Sequence, residues 1–300
     1  MASTLDTSID SARTSAARRI EGGRAHDAHV HWPAKVDLFG VQVTPTTYAE
    51  ATATIIAAAQ RRQPSVVSCH AVHAIVTMSD NPVLRDQVNR FDMITPDGQP
   101  VRWAINSLHK SGLADRVCGP QLTLEVCRQA AASDVSIYLY GGSPSVVEKL
   151  KANLEEQFPG LVIAGYESPP FRPLTLSEDE AVVERINTSG AGIVLIGLGC
   201  PKQDIFAFEH RSRIQGVQLC VGAAFDMHAG VKSFAPAWMR KRGLEWLYRL
   251  MQEPRRLARR YLSTNTIFLM KWGRAKLSRS ARRRATDKSA SDPEITDVGS

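Results

Sequence analysis

One aspartate is a candidate catalytic group because of its position in the chain. Asp97 lies in the sequence TPDG, directly after a short apolar segment that is typical of a strand. A carboxylate at the end of a strand is well placed to act as a general base, although an Asp-Gly pair is also typical of an ordinary turn. Arg116, in the sequence RVCGP, could bind a phosphate through its guanidinium, and a surface arginine is the alternative.

A pair of glycines marks a second candidate site. Gly141 and Gly142 follow the apolar segment SIYLY, and Ser143 precedes a helical pattern that begins with Pro144. Backbone N–H groups at such a helix start suit a diphosphate. A tight turn between a strand and a helix also favours glycine, and the segment lacks the G-x-G-x-x-G pattern of dinucleotide-binding proteins. The motif therefore leaves a binding role and a structural role open.

Two further segments carry polar groups after predicted strands. Gly197 and Gly199 lie in IGLGCPKQD, where Lys202 could neutralise a phosphate and Gln203 could hydrogen-bond a base or a sugar. Asp226, within VGAAFDMHAG, could bind a sugar hydroxyl, or it could cap a helix. Ligands of open parallel sheets bind beyond the carboxyl ends of the strands, so all these segments are candidates for one site.

No metal or cofactor is indicated by the sequence. It contains no D-x-D pattern of the kind that binds a divalent metal with a sugar nucleotide, and no cysteine–histidine cluster with zinc spacing. Its five cysteines form no C-x-x-C pair, which favours buried, reduced thiols. The histidines fit neither a catalytic triad nor a metal-binding spacing, so packing or surface roles are the default interpretation.

Short apolar segments alternate with helical patterns, which predicts βαβ units and a parallel sheet with right-handed crossovers. Strands are predicted over 36–43, 65–69, 92–95, 136–140, 161–165, 192–198 and 217–221, and helices over 46–61, 81–90, from 143 onward and over 178–189. Ser177 and Glu180 are expected to form a capping box at the last of these helices. The predicted fold class is α/β, with a Rossmann-like parallel-sheet body.

The net charge of +7 is concentrated in one segment of the chain. Residues 231–284 contain 16 Lys and Arg residues and only two acidic residues, which suggests a polyanionic partner. Beyond Pro236 the pattern is basic and aromatic, and it predicts two helices, over 238–250 and 254–276. We therefore predict a disordered N-terminal tail over 1–34, a body over 35–235, a basic helical appendage over 236–277 and a disordered C-terminal tail over 278–300.

Taken together, the motifs resemble the WecG/TagA/CpsF glycosyltransferases, family 26. The resemblance extends over about residues 36–262 and includes TPDGQPVRW, RVCGPQL, YGGSPSVVEKL, IGLGCPKQD and AAFDMHAG in that order. The most specific motif is PAWMRKRGLEWLYRLMQEPRRLARRY, in the basic segment. The resemblance implies inverting transfer of a sugar, N-acetylmannosamine by family default, from a UDP-sugar to a polyprenyl-diphosphate-linked sugar. The product would enter a cell-surface polysaccharide, an exopolysaccharide or a teichoic-acid-type polymer.

The resemblance also implies roles for individual residues. Asp97 matches the proposed catalytic base of the family, and Arg116 and Gln203 match substrate-pocket positions. Ser68 and His70 align with a Thr-x-Asn motif, with His70 in place of the asparagine. One or two arginines of the appendage are expected to face the departing diphosphate, and the candidates are Arg249, Arg255, Arg256, Arg259 and Arg260.

The same resemblance implies a bacterial enzyme that is cytoplasmic and peripherally associated with the inner face of the cell membrane. Aromatic residues interleave with the cations of the appendage, which is the composition of an interfacial helix on an anionic membrane surface. No apolar run approaches the roughly 20 residues of a membrane-spanning helix, and the first residues lack the apolar region of a secretory signal.

Three alternatives stay open at this point. The donor could be UDP-glucose or a UDP-uronate, since relatives of the family use such sugars. The basic C-terminal segment could bind nucleic acid, but the sequence contains no recognised nucleic-acid-binding module, so nucleic acid is not expected as a partner. A nicotinamide-dependent oxidoreductase could share the fold, but the missing G-x-G-x-x-G pattern disfavours it.

Overall fold

A computed structural model describes residues 29–291, apart from the side chains of residues 241, 256 and 281–291. The predicted N-terminal tail over 1–34 therefore lies mostly outside the described residues, as does the end of the predicted C-terminal tail. The elements of the fold lie between residues 32 and 291. No helix of the described residues has the length and hydropathy of a membrane span.

Six parallel strands form the central sheet, in the order β4-β3-β8-β7-β5-β6. The sheet strands are β3 (Ser65–His70), β4 (Met93–Pro96), β5 (Ile137–Gly141), β6 (Ile163–Glu167), β7 (Ile193–Gly197) and β8 (Val217–Cys220). The inner strands are buried on both faces, and β5 and β7 are nearly continuous apolar runs, which is typical of a parallel sheet covered by helices. The neighbouring strands β3 and β8 also bury polar residues, among them Ser68, His70 and Gln218. The structure thus confirms the α/β, Rossmann-like fold class.

Helices connect these strands and cover the sheet. The helices are α1 (Tyr48–Gln60), α2 (Val72–Asp80), α3 (Pro82–Val88), α4 (Gln99–His109), α5 (Gly119–Ala132), α6 (Pro144–Gln157), α7 (Leu176–Thr188), α8 (Lys202–His210), α9 (Ala224–His228), α10 (Ala237–Lys241), α11 (Glu245–Gln252) and α12 (Pro254–Ser291). The sequence makes no helix prediction for α2, α4, α5, α8 or α9. Of these, α4 follows the pair Asp97-Gly98 and α5 begins with Gly119-Pro120, and both pairs are also typical of a turn.

The first predicted strand is wrong as a single element. Residues 36–43 form an antiparallel hairpin of β1 (Val36–Leu38) and β2 (Val41–Val43), separate from the main sheet. The turn consists of Phe39 and Gly40, both with positive φ, at 61° and 90°. A two-residue turn with positive φ at both positions matches the right-handed twist of the strands that it joins.

The predicted capping box of α7 is displaced by two residues. Thr175, rather than Ser177, accepts a hydrogen bond from the backbone of Glu178, and the Glu178 carboxylate accepts one from Thr175 N–H at 2.8 Å. The helix therefore begins at Leu176, earlier than predicted. Both Thr175–Glu178 and Ser177–Glu180 satisfy the sequence pattern, and the backbone bond of Thr175 decides between them.

The predicted appendage consists of three helices instead of two. The predicted helix over 238–250 is interrupted at Gly243, whose φ of 73° lies in the left-handed region, so that α10 and α11 are separate. The last helix, α12, runs to Ser291, beyond the predicted end of the appendage at residue 277.

The last helix is attached to the body along part of its length. Phe268 is almost fully buried and meets the ring of Phe39, in the hairpin, at 5.3 Å in an edge-to-face contact. Trp272 Nε1 donates to Ser107 Oγ of α4 at 2.8 Å, and Lys271 pairs with Asp80 of α2 at 2.7 Å. These contacts fix α12 on the side of the sheet that holds β3 and β4.

Candidate active site

A cleft of about 460 Å³ lies at the carboxyl edge of the sheet, where the appendage meets the body. Residues that follow four adjacent strands, β4, β3, β8 and β7, line this cleft. The appendage adds the side chains of Glu245, Trp246, Arg249, Leu257, Arg260 and Tyr261. The position agrees with the rule that ligands of open α/β sheets bind beyond the carboxyl ends of the strands.

Asp97 is the first residue after β4 and lines the cleft. Its backbone N–H donates to the carbonyl oxygen of His70 at 3.1 Å, which continues the pairing of β4 with β3 past the strand end. Burial raises the pKa of the Asp97 carboxyl, while Arg116 and Arg249 oppose this shift and Glu245 adds to it. A carboxylate with a raised pKa is a stronger base, which suits proton removal from a hydroxyl group.

Arg116 lies in the same cleft, with only 6% of its surface exposed. Its guanidinium forms an ion pair with Glu245, the first residue of α11, and so joins the body to the appendage. The turn that holds Arg116 is fixed by Asp115, whose Oδ1 accepts from Arg116 N–H at 2.8 Å and from Gln99 Nε2 at 3.2 Å. The carboxylate of Glu245 is thus paired with Arg116, the cation that the sequence predicts to bind the substrate.

The segment between β7 and α8 forms another part of the cleft lining. Gln203 is the first buried residue of α8, and its Oε1 accepts a hydrogen bond from Gly199 N–H at 3.1 Å. A Cβ atom at Gly197 would lie 2.5 Å from the ring of Phe225, so only glycine fits there. The structure therefore brings Gly197, Gly199 and Gln203 to the cleft together with Asp97 and Arg116.

Ser68 and His70 lie beneath the cleft, with no exposed surface. Both contact Asp204 of α8: Ser68 Oγ donates to Asp204 Oδ1 at 2.7 Å, and His70 Nε2 lies 3.0 Å from the same oxygen. His70 and Ser68 hold the pKa of Asp204 below its usual value, against the effect of burial, which is the largest single influence and raises it. The carboxylate is therefore ionised, and His70 donates through Nε2.

This arrangement corrects the predicted role of Ser68 and His70. Their side chains point at Asp204 in the interior and do not line the cleft. They bind α8 to β3 and so position the helix start that carries Gln203. The sequence could not reveal this, because Asp204 lies more than 130 residues from its partners.

Replacing Asp204 with asparagine should lower the free energy of unfolding by about 3 kcal/mol, because two buried donors lose their charged acceptor. Urea denaturation at pH 7 measures the loss, and Glu209→Gln, an exposed site on the same helix, is the control, with a change below about 0.5 kcal/mol. An equal loss in both variants would contradict the assignment.

The contribution of Asp204 to stability depends on pH. The pKa of Asp204 is lower in the folded protein, so its contribution is present above the usual value of 3.8 and is lost as the pH falls below it.

Asp226 lies on the cleft but is already paired. Lys232 Nζ lies 2.8 Å from Asp226 Oδ2 and 3.1 Å from Glu253 Oε1, so one lysine joins α9 to the link between α11 and α12. The three side chains all line the cleft. Asp226 is therefore available to a sugar hydroxyl only as a carboxylate that shares a cation.

Two appendage arginines face the cleft without a carboxylate partner among the described residues. The guanidinium of Arg249 contacts Met227 Sδ at 3.5 Å, and that of Arg260 lies over the ring of Tyr261, 5.6 Å from its centroid. Nearby His73 stays neutral at pH 7, because burial and the charge of Arg260 lower its pKa to about 4. The two guanidinium groups are thus available to an anion in the cleft.

Other predicted binding residues lie away from the cleft lining. Ser143 caps α6 by accepting from Val146 N–H at 3.4 Å, and a Cβ atom at Gly141 would lie 2.7 Å from the backbone of Gly197. The residues that do not line the cleft are Gly141, Gly142, Ser143, Lys202, Arg255 and Arg259. The side chain of Arg256 lies outside the described residues. Gly141 thus serves the close packing of β5 on β7, whereas a Cβ atom at Gly142 would lie 3.1 Å from the side chain of Val146 in α6.

Asp204, which lies beneath the cleft, and Glu245, which lines it, are among the residues that were not predicted to have a role at the site. Asp204 follows Lys202 and Gln203 in the sequence, and its burial at a helix start is not visible in the sequence. Glu245 does carry a signal, since it is one of only two acidic residues in the segment 231–284. A lone carboxylate in a strongly basic segment is a candidate for a specific ion pair, and Glu245 forms one with Arg116.

The fold and the cleft define a Rossmann-like α/β protein with a ligand site at the carboxyl edge of its sheet, closed by a C-terminal helical appendage. Among the described residues, no group of three or more His, Cys, Asp or Glu side chains could hold a metal ion. The model of the Glycosyl transferase WecG/TagA/CpsF family matches residues 36–282. The chain belongs to this family, which assigns it a glycosyltransferase role in cell-surface polymer synthesis, with a sugar donor and a glycan acceptor.

Proposed function

We propose that the protein is an inverting glycosyltransferase that moves a sugar from a UDP-sugar to a polyprenyl-diphosphate-linked sugar acceptor. Asp97 removes the proton of the acceptor hydroxyl as its oxygen attacks the anomeric carbon. The bond from that carbon to the UDP oxygen breaks, and UDP leaves with negative charge on its diphosphate. The observation that supports this role is the position of Asp97, which lies directly after β4 and lines the cleft together with Arg116 and Arg249. Burial also raises the pKa of its carboxyl, which strengthens it as a base.

The charge of the departing diphosphate needs cations that are fixed in place before the reaction. Arg249 and Arg260 suit this task, because they face the cleft and no described carboxylate pairs with them. Arginine binds phosphates in a bidentate manner, which also orients the leaving group. The proposal includes no metal, in keeping with the absence of a D-x-D pattern from the sequence.

The identity of the donor sugar is the most specific part of the proposal. N-acetylmannosamine is the default that the family resemblance implies, and UDP-glucose or a UDP-uronate is the alternative. Asp226 and Gln203 line the cleft and can hydrogen-bond sugar hydroxyls. A screen of UDP-sugars for UDP release distinguishes these donors.

The acceptor is proposed to reach the cleft from an anionic membrane surface on the cytoplasmic side. Along α12, Leu262, Leu269, Met270 and Leu277 are all more than half exposed. Their spacing places them on one face of the helix, away from the face of the buried Leu257 and Phe268. Exposed cations on the same helix, Arg255, Arg259, Arg274 and Lys276, suit anionic headgroups.

A thermal-shift comparison tests the class of donor. UDP should raise the melting temperature of the full chain, because it binds the folded state. NAD should leave it unchanged at the same concentration, since the chain lacks a dinucleotide-binding motif. Stabilisation by NAD without stabilisation by UDP would contradict the proposal and favour an oxidoreductase.

A further inference from the structure

The ion pair of Arg116 with Glu245 joins two groups with little contact with solvent. The side chain of Arg116 is 8% exposed and that of Glu245 is 18% exposed, so water screens their attraction poorly. Glu245 belongs to the appendage, and Arg116 belongs to the body beside Asp97. A carboxylate from one part of the chain thus occupies a cation of the other part, inside the candidate active site.

The charges in the cleft are balanced before any ligand enters. The described side chains that line it include the cations Arg116, Lys232, Arg249 and Arg260 and the carboxylates Asp97, Asp226, Glu245 and Glu253. A diphosphate adds at least two negative charges to this set. Its binding is therefore favoured if one carboxylate gives up its cation. Glu245 is paired with Arg116, the cation whose charge has the largest effect on the pKa of Asp97.

The element that carries Glu245 is suited to movement. None of the eight residues of α11 is fully buried, so this helix is held less firmly than the helices that cover the sheet. Gly243 precedes it with a φ of 73°, and Glu253 follows it with a non-helical backbone. Two non-helical positions that flank a short helix without fully buried residues allow it to shift as a unit.

We propose that Glu245 holds the place on Arg116 that a phosphate oxygen of the donor takes, and that donor binding displaces it. This inference rests on the proposed function, because it requires a nucleotide diphosphate in the cleft. The released Arg116 then pairs with the diphosphate, and α11 moves with Glu245. Glu245 is thus a positioning residue that keeps Arg116 oriented in the empty site and competes with the ligand for it.

The test is the affinity of the full chain for UDP, measured by isothermal titration calorimetry on the wild type, Glu245→Gln and Glu253→Gln. Glutamine keeps the size of the side chain but removes the competing charge, so we expect about tenfold tighter UDP binding in Glu245→Gln. Glu253→Gln removes a carboxylate from the same cleft but leaves the pair of Arg116 and Glu245 intact. Its gain should be clearly smaller.

A buried arginine without a partner lowers stability, so Glu245→Gln should melt below the wild type when no ligand is present. Glu245→Asp keeps the charge but shortens the side chain, and an intermediate gain in UDP affinity is expected from it even if Glu245→Gln folds poorly. Unchanged or weaker UDP binding in both variants would overturn the inference and leave Glu245 as a structural partner of Arg116. If the wild type itself fails to bind UDP, the proposed function fails first, and this inference fails with it.

Discussion

Replacing Asp97 with asparagine should reduce sugar transfer by about 10²- to 10⁴-fold while the protein stays folded and still binds UDP. The expected loss is the contribution of a positioned general base, because asparagine has the same shape but cannot take the acceptor proton. The measurement is UDP release from a UDP-sugar in the presence of a polyprenyl-diphosphate-sugar analogue. Undiminished turnover would exclude Asp97 as the base.

The pH dependence of kcat/KM is a second test of Asp97 as the base. Burial raises the pKa of Asp97, although Arg116 and Arg249 oppose the shift. The base acts in its ionised form, so kcat/KM should fall as the pH decreases through this raised value, above the ordinary range of aspartate. A profile without an acidic limb above pH 4 or so would contradict a buried carboxylate as the base.

Replacing Arg249 with glutamine should lower kcat by about a hundredfold with a smaller effect on UDP affinity. Arg249 lies near Asp97 and pairs with no described carboxylate, so its charge is free for the leaving diphosphate. Negative charge on UDP increases as the bond breaks, and the loss of a fixed cation therefore costs more in the transition state than in the bound state. Steady-state kinetics with saturating donor separates the two effects.

Arg259→Gln is the matched control for this prediction. Arg259 belongs to the same appendage and carries the same charge, but it is exposed and does not line the cleft. With a soluble acceptor analogue, its replacement should change kcat by less than about twofold, as a surface substitution usually does. An equal loss in the two variants would mean that the overall charge of the appendage, rather than Arg249 itself, supports catalysis.

The strands of the sheet could be predicted from the sequence because each contains a short apolar segment with a turn or a helical pattern after it. The hairpin of residues 36–43 could not be predicted, because its turn contains Phe39 with a positive φ, and phenylalanine is not a residue that indicates this conformation. The break at Gly243 was also missed. Gly243 directly follows the C-cap Arg242 with a φ of 73°, and a glycine at this position is a common helix stop that the sequence does contain.

Site residues next to strand ends were predictable, because parallel strands bring their carboxyl ends to one edge. Asp97, Gly199 and Gln203 reach the cleft for this reason. The roles of Ser68 and His70 were not predictable, because their partner Asp204 comes from a distant helix. Among the arginines of the appendage, only the packing of α11 and α12 distinguishes Arg260, which lines the cleft, from its neighbour Arg259, which does not.

The transfer reaction itself is the decisive test of the proposed function. Full-length protein, a set of UDP-sugars and a polyprenyl-diphosphate-sugar analogue are combined, and UDP release is measured together with the mass and anomeric configuration of the product. We expect one preferred UDP-sugar, acceptor-dependent UDP release and a product of inverted configuration. A product that retains the configuration of the donor, or the absence of acceptor-dependent UDP release with every UDP-sugar, would contradict the proposed function.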